Sequence, residues 1–542
     1  RVSKHQDGWE AEFKIPFASL NYLAGDNQVW GINFNRDIRS RKEYVYWSPL
    51  RKHQSLRKVS KTGLLKGLKL PIDKKQQTKG YVLLKQTKDH SSLQIGGTHH
   101  VPISSNQNLE FLVNADNQSN SDPLTLHISR NNLLRTEKRP FFLDQQAFFD
   151  LNANTFRLFN SRKIGLDADG EAIDLPFGAR YSWQNKHASF ASLLTLTESK
   201  SGQANQSIQL INRYKSYYQK KSYLGFFLSN LQDQNTNGDL AKKSDQTIAI
   251  DGKHYFDDNQ QLRFLVSQHS DVHTDHALSS TYIFDNSDHY FSLSYEKTGE
   301  NFNPELGYLS REGGFTYYKT SLGKRFRNPL DNLFEWRPEI SYISRLDQSD
   351  QLSSEQLSFT HQFSAMNGFT FKKGLHLYYE NLSSNYDLTD SITIPQDHYK
   401  YAMASASLSS PSYLKTYGSI STFFGNYYEQ NRVDLSASLS HKFSEILSSS
   451  LSVKRISIDF HNQDDLIYEL SNSWRYFIDQ EQSISFSVQA IDADRFLQLS
   501  YLKQEGAFQS KLIQLDIKEQ SNTTLFHDNW KVFYKQSFVL QP

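Results

Sequence analysis

The segment Asp233-Gln234-Asn235-Thr236-Asn237-Gly238-Asp239 sets oxygen-bearing side chains at alternate positions ahead of a glycine. A loop wraps Ca²⁺ with that spacing, because a hard cation takes carboxylate and amide oxygens from a sharply turning chain. The candidate ligands are Asp233, Asn235, Asn237 and Asp239, and Ca²⁺ is the one cofactor the sequence suggests. Against this, Ser244 stands at the twelfth position, where such a loop wants a carboxylate. An Asx–Gly cluster is equally what a polar external loop contains.

A second group is cationic: Arg139, Arg157, Arg162 and Lys163, with Glu137, Asp144 and Asp150 among them. Inside a membrane protein these cations would either pair with the carboxylates and fix a plug, or line a constriction selective for anionic solutes. The histidines offer less. His99 and His100 are adjacent in an extended stretch and so point to opposite faces. His269, His273 and His276 fall in polar, turn-like sequence and read as surface residues. No Gly-x-Ser-x-Gly elbow occurs, no phosphate-cradling glycine loop, and no cysteine. A non-catalytic chain is the expectation.

The elements that must position these residues have a two-residue period. Val433-Asp434-Leu435-Ser436-Ala437-Ser438-Leu439-Ser440 and Ile484-Ser485-Phe486-Ser487-Val488-Gln489-Ala490 alternate apolar with small polar side chains. Successive strand side chains point to opposite faces, so each segment has a greasy face and a wet one. Many such segments joined by polar connections are the signature of a transmembrane β-barrel. Mean hydropathy is −0.64 and no stretch of 18 apolar residues appears, which excludes a helical membrane protein. Aromatics reach 14%, with pairs such as Tyr217-Tyr218, Tyr378-Tyr379 and Tyr427-Tyr428 near segment ends, where girdles at the membrane rims would lie.

Net charge is +2, unevenly spread. Residues 1–79 hold 17 Lys/Arg against 7 Asp/Glu, hence +10, which leaves −8 for the remainder. Trp9–Ile15 and Val29–Arg36 are alternating strands closed by Pro16 and separated by a Gly25-Asp26-Asn27 turn. Residues 1–50 therefore read as the end of a small β domain whose partner strands lie upstream. Residues 51–79 read as a linker, and 80–542 as the barrel. At about 20 residues per strand and connection the barrel should have an even number of strands between about 18 and 24. Residues 131–165 break the alternation and read as an insert, folded either into the lumen or over the surface, with the lumen favoured.

Glu137-Lys138-Arg139-Pro140-Phe141-Phe142-Leu143, followed by Phe159-Asn160-Ser161-Arg162-Lys163-Ile164-Gly165, resembles a bacterial outer-membrane family of uncharacterised function. Its members join an amino-terminal family-9-type carbohydrate-binding module to a carboxy-terminal barrel. Asn303-Pro304-Glu305-Leu306-Gly307-Tyr308 with Arg311 is similar to a second signature of that barrel. Gly8–Leu20, Trp30–Phe34 and Tyr46–Pro49 are similar to the end of the module, whose first half is absent here. The resemblance implies a sugar-binding role for which Trp9, Trp30 and Trp47 are candidates.

The expected protein is all-β: a large antiparallel transmembrane barrel in the bacterial outer membrane, preceded by a partial β-sandwich. Its partners would be outer-membrane lipid and a carbohydrate ligand, with no nucleic acid. It would bind or pass a glycan-derived or other polar solute. The alternatives are a gated, energy-coupled importer and a sealed anchor or assembly scaffold. Glu137, Arg139, Phe141, Phe142, Arg157, Arg162 and Lys163 are the candidate lumen residues.

Overall fold

A computed structural model describes the chain apart from residues 1, 7, 14, 16–24, 39–42, 51–55, 57–60, 71–75, 117–123, 125, 127, 152, 167–172, 199–205, 220–221, 235–239, 390–391, 461–462, 506–508, 520–529 and 541–542. Its dominant element is a closed antiparallel barrel. The barrel begins at Gln77–Thr87, runs strand by strand as a meander, and closes where Trp530–Leu540 pairs back onto Gln77–Thr87. Phe315–Lys324 and Phe326–Leu330 both pair with Leu333–Leu346 and occupy one barrel position, which gives 24 strands. That is the top of the expected range, and even, as antiparallel closure of first strand on last requires.

Alternation assigns the two faces. On Gln206–Tyr217, Gln209, Ile211, Arg213 and Lys215 are buried while Tyr214 is exposed. On Tyr223–Gln234 and Leu240–Tyr255, Leu224, Phe226, Ile248 and Ile250 are exposed, and Phe227, Ser229, Thr247 and Asp251 are buried. Exposed large apolar side chains therefore cover the outside, where they meet hydrocarbon, and polar groups turn inward. Near one rim the outward rings of Phe326, Trp336, His361, Phe363 and Phe371 stack in sequence, at centroid spacings of 4.8 to 6.2 Å. Such a girdle suits the headgroup boundary. No described helix is long and apolar enough to span a membrane. The barrel crosses with strands, and the protein resides in the bacterial outer membrane.

The two rims differ. At one, consecutive strands join through short turns, such as 185–187, 286–288 and 331–332. At the other lie the long connections 114–176, 299–314 and 382–397. Short turns face the periplasm in such barrels and long connections face outward. Residues preceding Gln77 join the barrel at the short-turn rim.

The amino-terminal part contains three two-stranded pairings: Val2–His5 with Gly8–Ala11, Asn35–Ile38 with Glu43–Tyr46, and Gly25–Ile32 with Gly63–Leu70. The last corrects the sequence reading. Residues 63–70 are no linker but a strand whose Leu65 faces Trp30 in register, and the barrel begins at Gln77 rather than 80. The segment Gly63-Leu64-Leu65-Lys66-Gly67-Leu68-Lys69-Leu70 has no period-2 alternation, and its lysines and glycines read as a connection.

Candidate functional site

The described residues of the connection 114–176 fold inside the barrel, and their contacts run around the inner wall. Asp116 takes an ion pair from Lys535 Nζ at 2.6 Å. The Leu124 carbonyl accepts from Gln489 Nε2 at 2.8 Å, and Leu126 and Ile128 pack into an apolar cluster with Ile456, Ile458 and Ile467. Arg130 pairs with Glu380 at 2.6 Å. Further along, Arg180 donates to the carbonyls of Phe141 and Asp144, and Lys215 to that of Ala147 at 3.1 Å. Asn154 and Thr155 saturate Glu296: their backbone and side-chain donors reach its two oxygens at 2.5 to 2.9 Å. Every wall residue in this series points inward.

Within the insert, Pro140 opens a short helix, Pro140–Leu143, where its fixed φ is already helical and its missing N–H is not needed. The helix buries Phe141 and Phe142, whose rings meet edge to face at 5.2 Å. Arg139, 3% exposed, forks onto Glu137 at 2.8 and 2.7 Å and donates to the carbonyls of Ile164 and Ser161 at 2.7 Å each. It also lies 4.2 Å from the Phe142 ring centroid. Ser161 Oγ donates to Glu137 at 2.7 Å. Burial alone would raise the Glu137 pKa, but the hydrogen bonds and charge of Arg139 outweigh it and hold it below the ordinary value. Both guanidinium edges and both carboxylate oxygens are engaged, so this pair is a structural staple of the insert.

The connection 299–314 joins the same body. Phe156–Arg157 pairs with Tyr308–Leu309, Asn160 N–H donates to the Leu306 carbonyl at 2.7 Å, and Ser310 N–H to that of Thr155 at 2.7 Å. The Tyr308 hydroxyl donates to the Asn132 carbonyl at 2.8 Å. One apolar cluster encloses Phe141, Phe142, Phe156, Leu158, Phe302 and Leu306 together with inward wall residues Leu193, Ile211 and Phe227. The two sequence blocks that carry the family resemblance therefore fold as a single core.

Of the other candidates, Arg162 is buried, Lys163 is exposed, and half-buried Arg157 lines a cavity of about 200 Å³ with Arg135, Asp150 and Asn160. Of the calcium candidates, Asn235, Asn237 and Asp239 lie outside the described residues. Asp233 sits on an inward strand position and accepts from Ser207 Oγ at 2.5 Å. Among the described residues no group of His, Asp and Glu could hold a metal ion. Trp9 is 54% and Trp47 61% exposed, and Trp30 half-buried. Trp9 carries Arg36 at 5.7 Å from its centroid, and Trp47 meets Phe34 edge to face at 6.0 Å.

His269 corrects a second expectation. It is no surface loop residue but fully buried on the inner wall, 3.6 Å from Asp245 and beside the Phe302 ring at 5.9 Å. The sequence reading also missed Arg180, Lys215 and Glu296, whose inward parity on apolar strands was the available signal. It missed the connection 382–397, whose Leu388, Ile392 and Ile394 build a second lumenal cluster with Tyr399, Tyr401 and Tyr428.

The lumen is not uniformly filled. Against the opposite wall lies a cavity of about 540 Å³, bordered by Arg337, Glu339, Lys372, Asp434, Lys454 and several Ser and Thr hydroxyls.

No protein-family model and no curated protein matches the sequence. Among solved structures the chain is similar to the siderophore receptor PirA from Pseudomonas aeruginosa, at 8% identity and a TM-score of 0.44, over 89% of this chain and 84% of that one. It is similar to PirA from Acinetobacter baumannii at 7% identity and 0.44, over 88% and 82%. The FrpB iron transporter from Neisseria meningitidis is similar at 8% identity and 0.41, over 89% and 85%.

Proposed function

We propose that this protein is a gated, non-catalytic importer of a small polar solute across the outer membrane. One observation carries the reading: the insert crosses the lumen and is fastened to inward side chains at Arg180, Lys215, Glu296, Glu380, Gln489 and Lys535. The insert narrows the lumen beside the hydroxyl-lined wall, and its shift would widen the path for a solute. Its fastenings combine apolar packing on the wall with individual hydrogen bonds and ion pairs, and the latter can be exchanged for solute contacts or broken by a partner acting from the short-turn rim.

The amino-terminal part is proposed to belong to a carbohydrate-binding-type sandwich. The exposed rings of Trp9 and Trp47 support a sugar-stacking role there.

Single-channel recording of the refolded full chain in a planar lipid bilayer tests the gate. The expected wild-type record is closed or small, and Glu296→Ala should give a large conductance. A large, steady wild-type conductance unchanged by the substitution would mean an open pore. Silence from inserted wild type and variant alike would favour a sealed anchor.

A further inference from the structure

Three guanidinium groups converge where the insert passes between the two apolar clusters. Arg130 comes from the insert, Arg311 from the connection 299–314, and Arg345 from the inner face of Leu333–Leu346. Arg130 is neutralised by Glu380 at 2.6 Å. Among the described residues no carboxylate lies within ion-pair distance of Arg311 or Arg345. Both donate instead to one neutral acceptor, Asn131 Oδ1, at 3.1 Å from Arg311 Nε and 3.2 Å from Arg345 Nη1.

Arg345 Nε is buried and has no hydrogen-bond partner. Its guanidinium lies 5.6 and 5.3 Å from the ring centroids of Phe315 and Tyr317, which fixes its plane without neutralising its charge. Glu296, the next carboxylate along the wall, is already saturated by Asn154 and Thr155. Arg157 adds a further cation, close enough to act electrostatically on Tyr308 together with Arg345. Burial, and then the charge of Arg345, pull the Arg311 pKa down to about 10.

Arg311 and Arg345 are half-buried, and withdrawing cations from water is costly unless something neutralises them. A guanidinium presents donors in a fixed fork that matches a carboxylate or phosphoryl group. We infer that Arg311 and Arg345 form a binding site for an oxyanion, the carboxylate or phosphoryl group of a small solute arriving from the long-connection rim. The inference rests on the gated-import reading and gives that solute its chemical class. Because one of the two cations belongs to the wall and the other to a lumenal connection, an anion bridging them would also sense the position of the filling.

The test is isothermal titration calorimetry of the refolded full chain in detergent micelles at low salt. Citrate and tripolyphosphate are the probes, with maltotriose as the uncharged control. Saturable binding of an anionic probe, weakened roughly tenfold or more in both Arg345→Gln and Arg311→Gln, is expected for the loss of charge-assisted hydrogen bonds. Lys186→Gln, in a short turn at the other rim, should bind as wild type does. Arg311→Lys keeps the charge but loses the fork, and should fall between.

Binding of citrate alone would mark a carboxylate solute, and of tripolyphosphate alone a phosphoryl one. Absence of saturable anion binding in the wild type overturns the site, as does equal binding by Gln variants that keep the heat-modifiable gel mobility of a folded barrel. Should both Gln variants lose that mobility, undiminished binding by Arg311→Lys overturns the fork. Conductance released by Glu296→Ala without anion binding would remove this site and leave the gate. Anion binding by a barrel that stays silent in both forms would remove the gate and leave the site.

Discussion

The inner wall changes character between the strands from Phe177–Gln184 to Phe315–Lys324 and those from Thr416–Tyr427 to Asp494–Gln504. On the first set, inward positions include Leu193, Ile211, Phe227, Ala249 and Leu265, interspersed with Arg180, Arg213, Asp251 and Glu296, and all are buried. On the second, the inner face is apolar only toward the long-connection rim, where Ile456, Ile458 and Ile467 pack against Leu126 and Ile128; further along, Ser438 pairs with Ser452 and Ser452 with Ser471, and Ser438 and Ser452 remain exposed although they point inward. The outward faces of both sets carry the same kind of side chain, Phe226 and Ile250 in one, Leu435 and Leu470 in the other. Hydrocarbon imposes one requirement on every strand, whereas the inner face answers to whatever occupies the lumen. A wall meeting a folded insert needs apolar area and matched charges. A wall meeting water needs only small hydroxyls.

The contrast breaks most directly at Arg139. Arg139→Ala leaves Glu137 buried without its fork, a change that costs about 3–5 kcal/mol when one partner of a buried ion pair is removed. Limited proteolysis within 131–165 should accelerate strongly, with barrel strands still protected. Unchanged protease resistance would mean that the insert holds its shape through packing alone.

Next in size is Glu296→Ala, which removes the acceptor for four donors on Asn154 and Thr155. At about 1.5–3 kcal/mol for each hydrogen bond to a charged group, less what water restores, a loss near 3 kcal/mol is expected. Hydrogen exchange should show faster opening of 150–160 while Arg139 and Glu137 stay paired. If exchange rises across 131–165 as a whole, the staple and the wall contact are one cooperative unit.

Acid should act on the filled half first. The folded-state pKa of Glu137 is depressed below the ordinary value near 4.5, so its stabilising contribution is fully present above about pH 4.5 and is lost as pH falls through the folded value. Protease sensitivity of the insert should therefore rise below pH 4.5 and stay flat between pH 6 and 8. Glu137→Gln should abolish that acid step, and its persistence in the variant would assign the step to another carboxylate.

What was legible in the sequence follows the same division. Period-2 alternation is local, and it disclosed the barrel, its strand range and the membrane. The Arg139-Pro140-Phe141-Phe142 block stood out because it broke that period. The second lumenal cluster did not, because Leu388, Ile392 and Ile394 lie in a short stretch indistinguishable from an ordinary connection until Tyr401 and Ile458 are brought beside it. Arg311 and Arg345 meet through the pairing of Phe315–Lys324 with Leu333–Leu346, and Arg130 reaches them only because the insert folds into the lumen, which no spacing rule discloses. His269 was misread because polar neighbours suggested a loop, when they were the wet face of a strand.

The smallest expected effect tests the open half by itself. Ser452→Val places two methyl groups at an exposed inward position, where surface substitutions change stability by no more than about 0.5 kcal/mol. Thermal unfolding and insert proteolysis should match wild type, while the conductance released by Glu296→Ala should fall in the double variant, because a wetted wall has become apolar. If conductance is unaffected, the path runs elsewhere, and the serine wall is only the cheapest surface that water tolerates. If stability falls instead, the filling reaches further across the lumen than the exposure of Ser438 and Ser452 implies, and the two halves differ in degree rather than in kind.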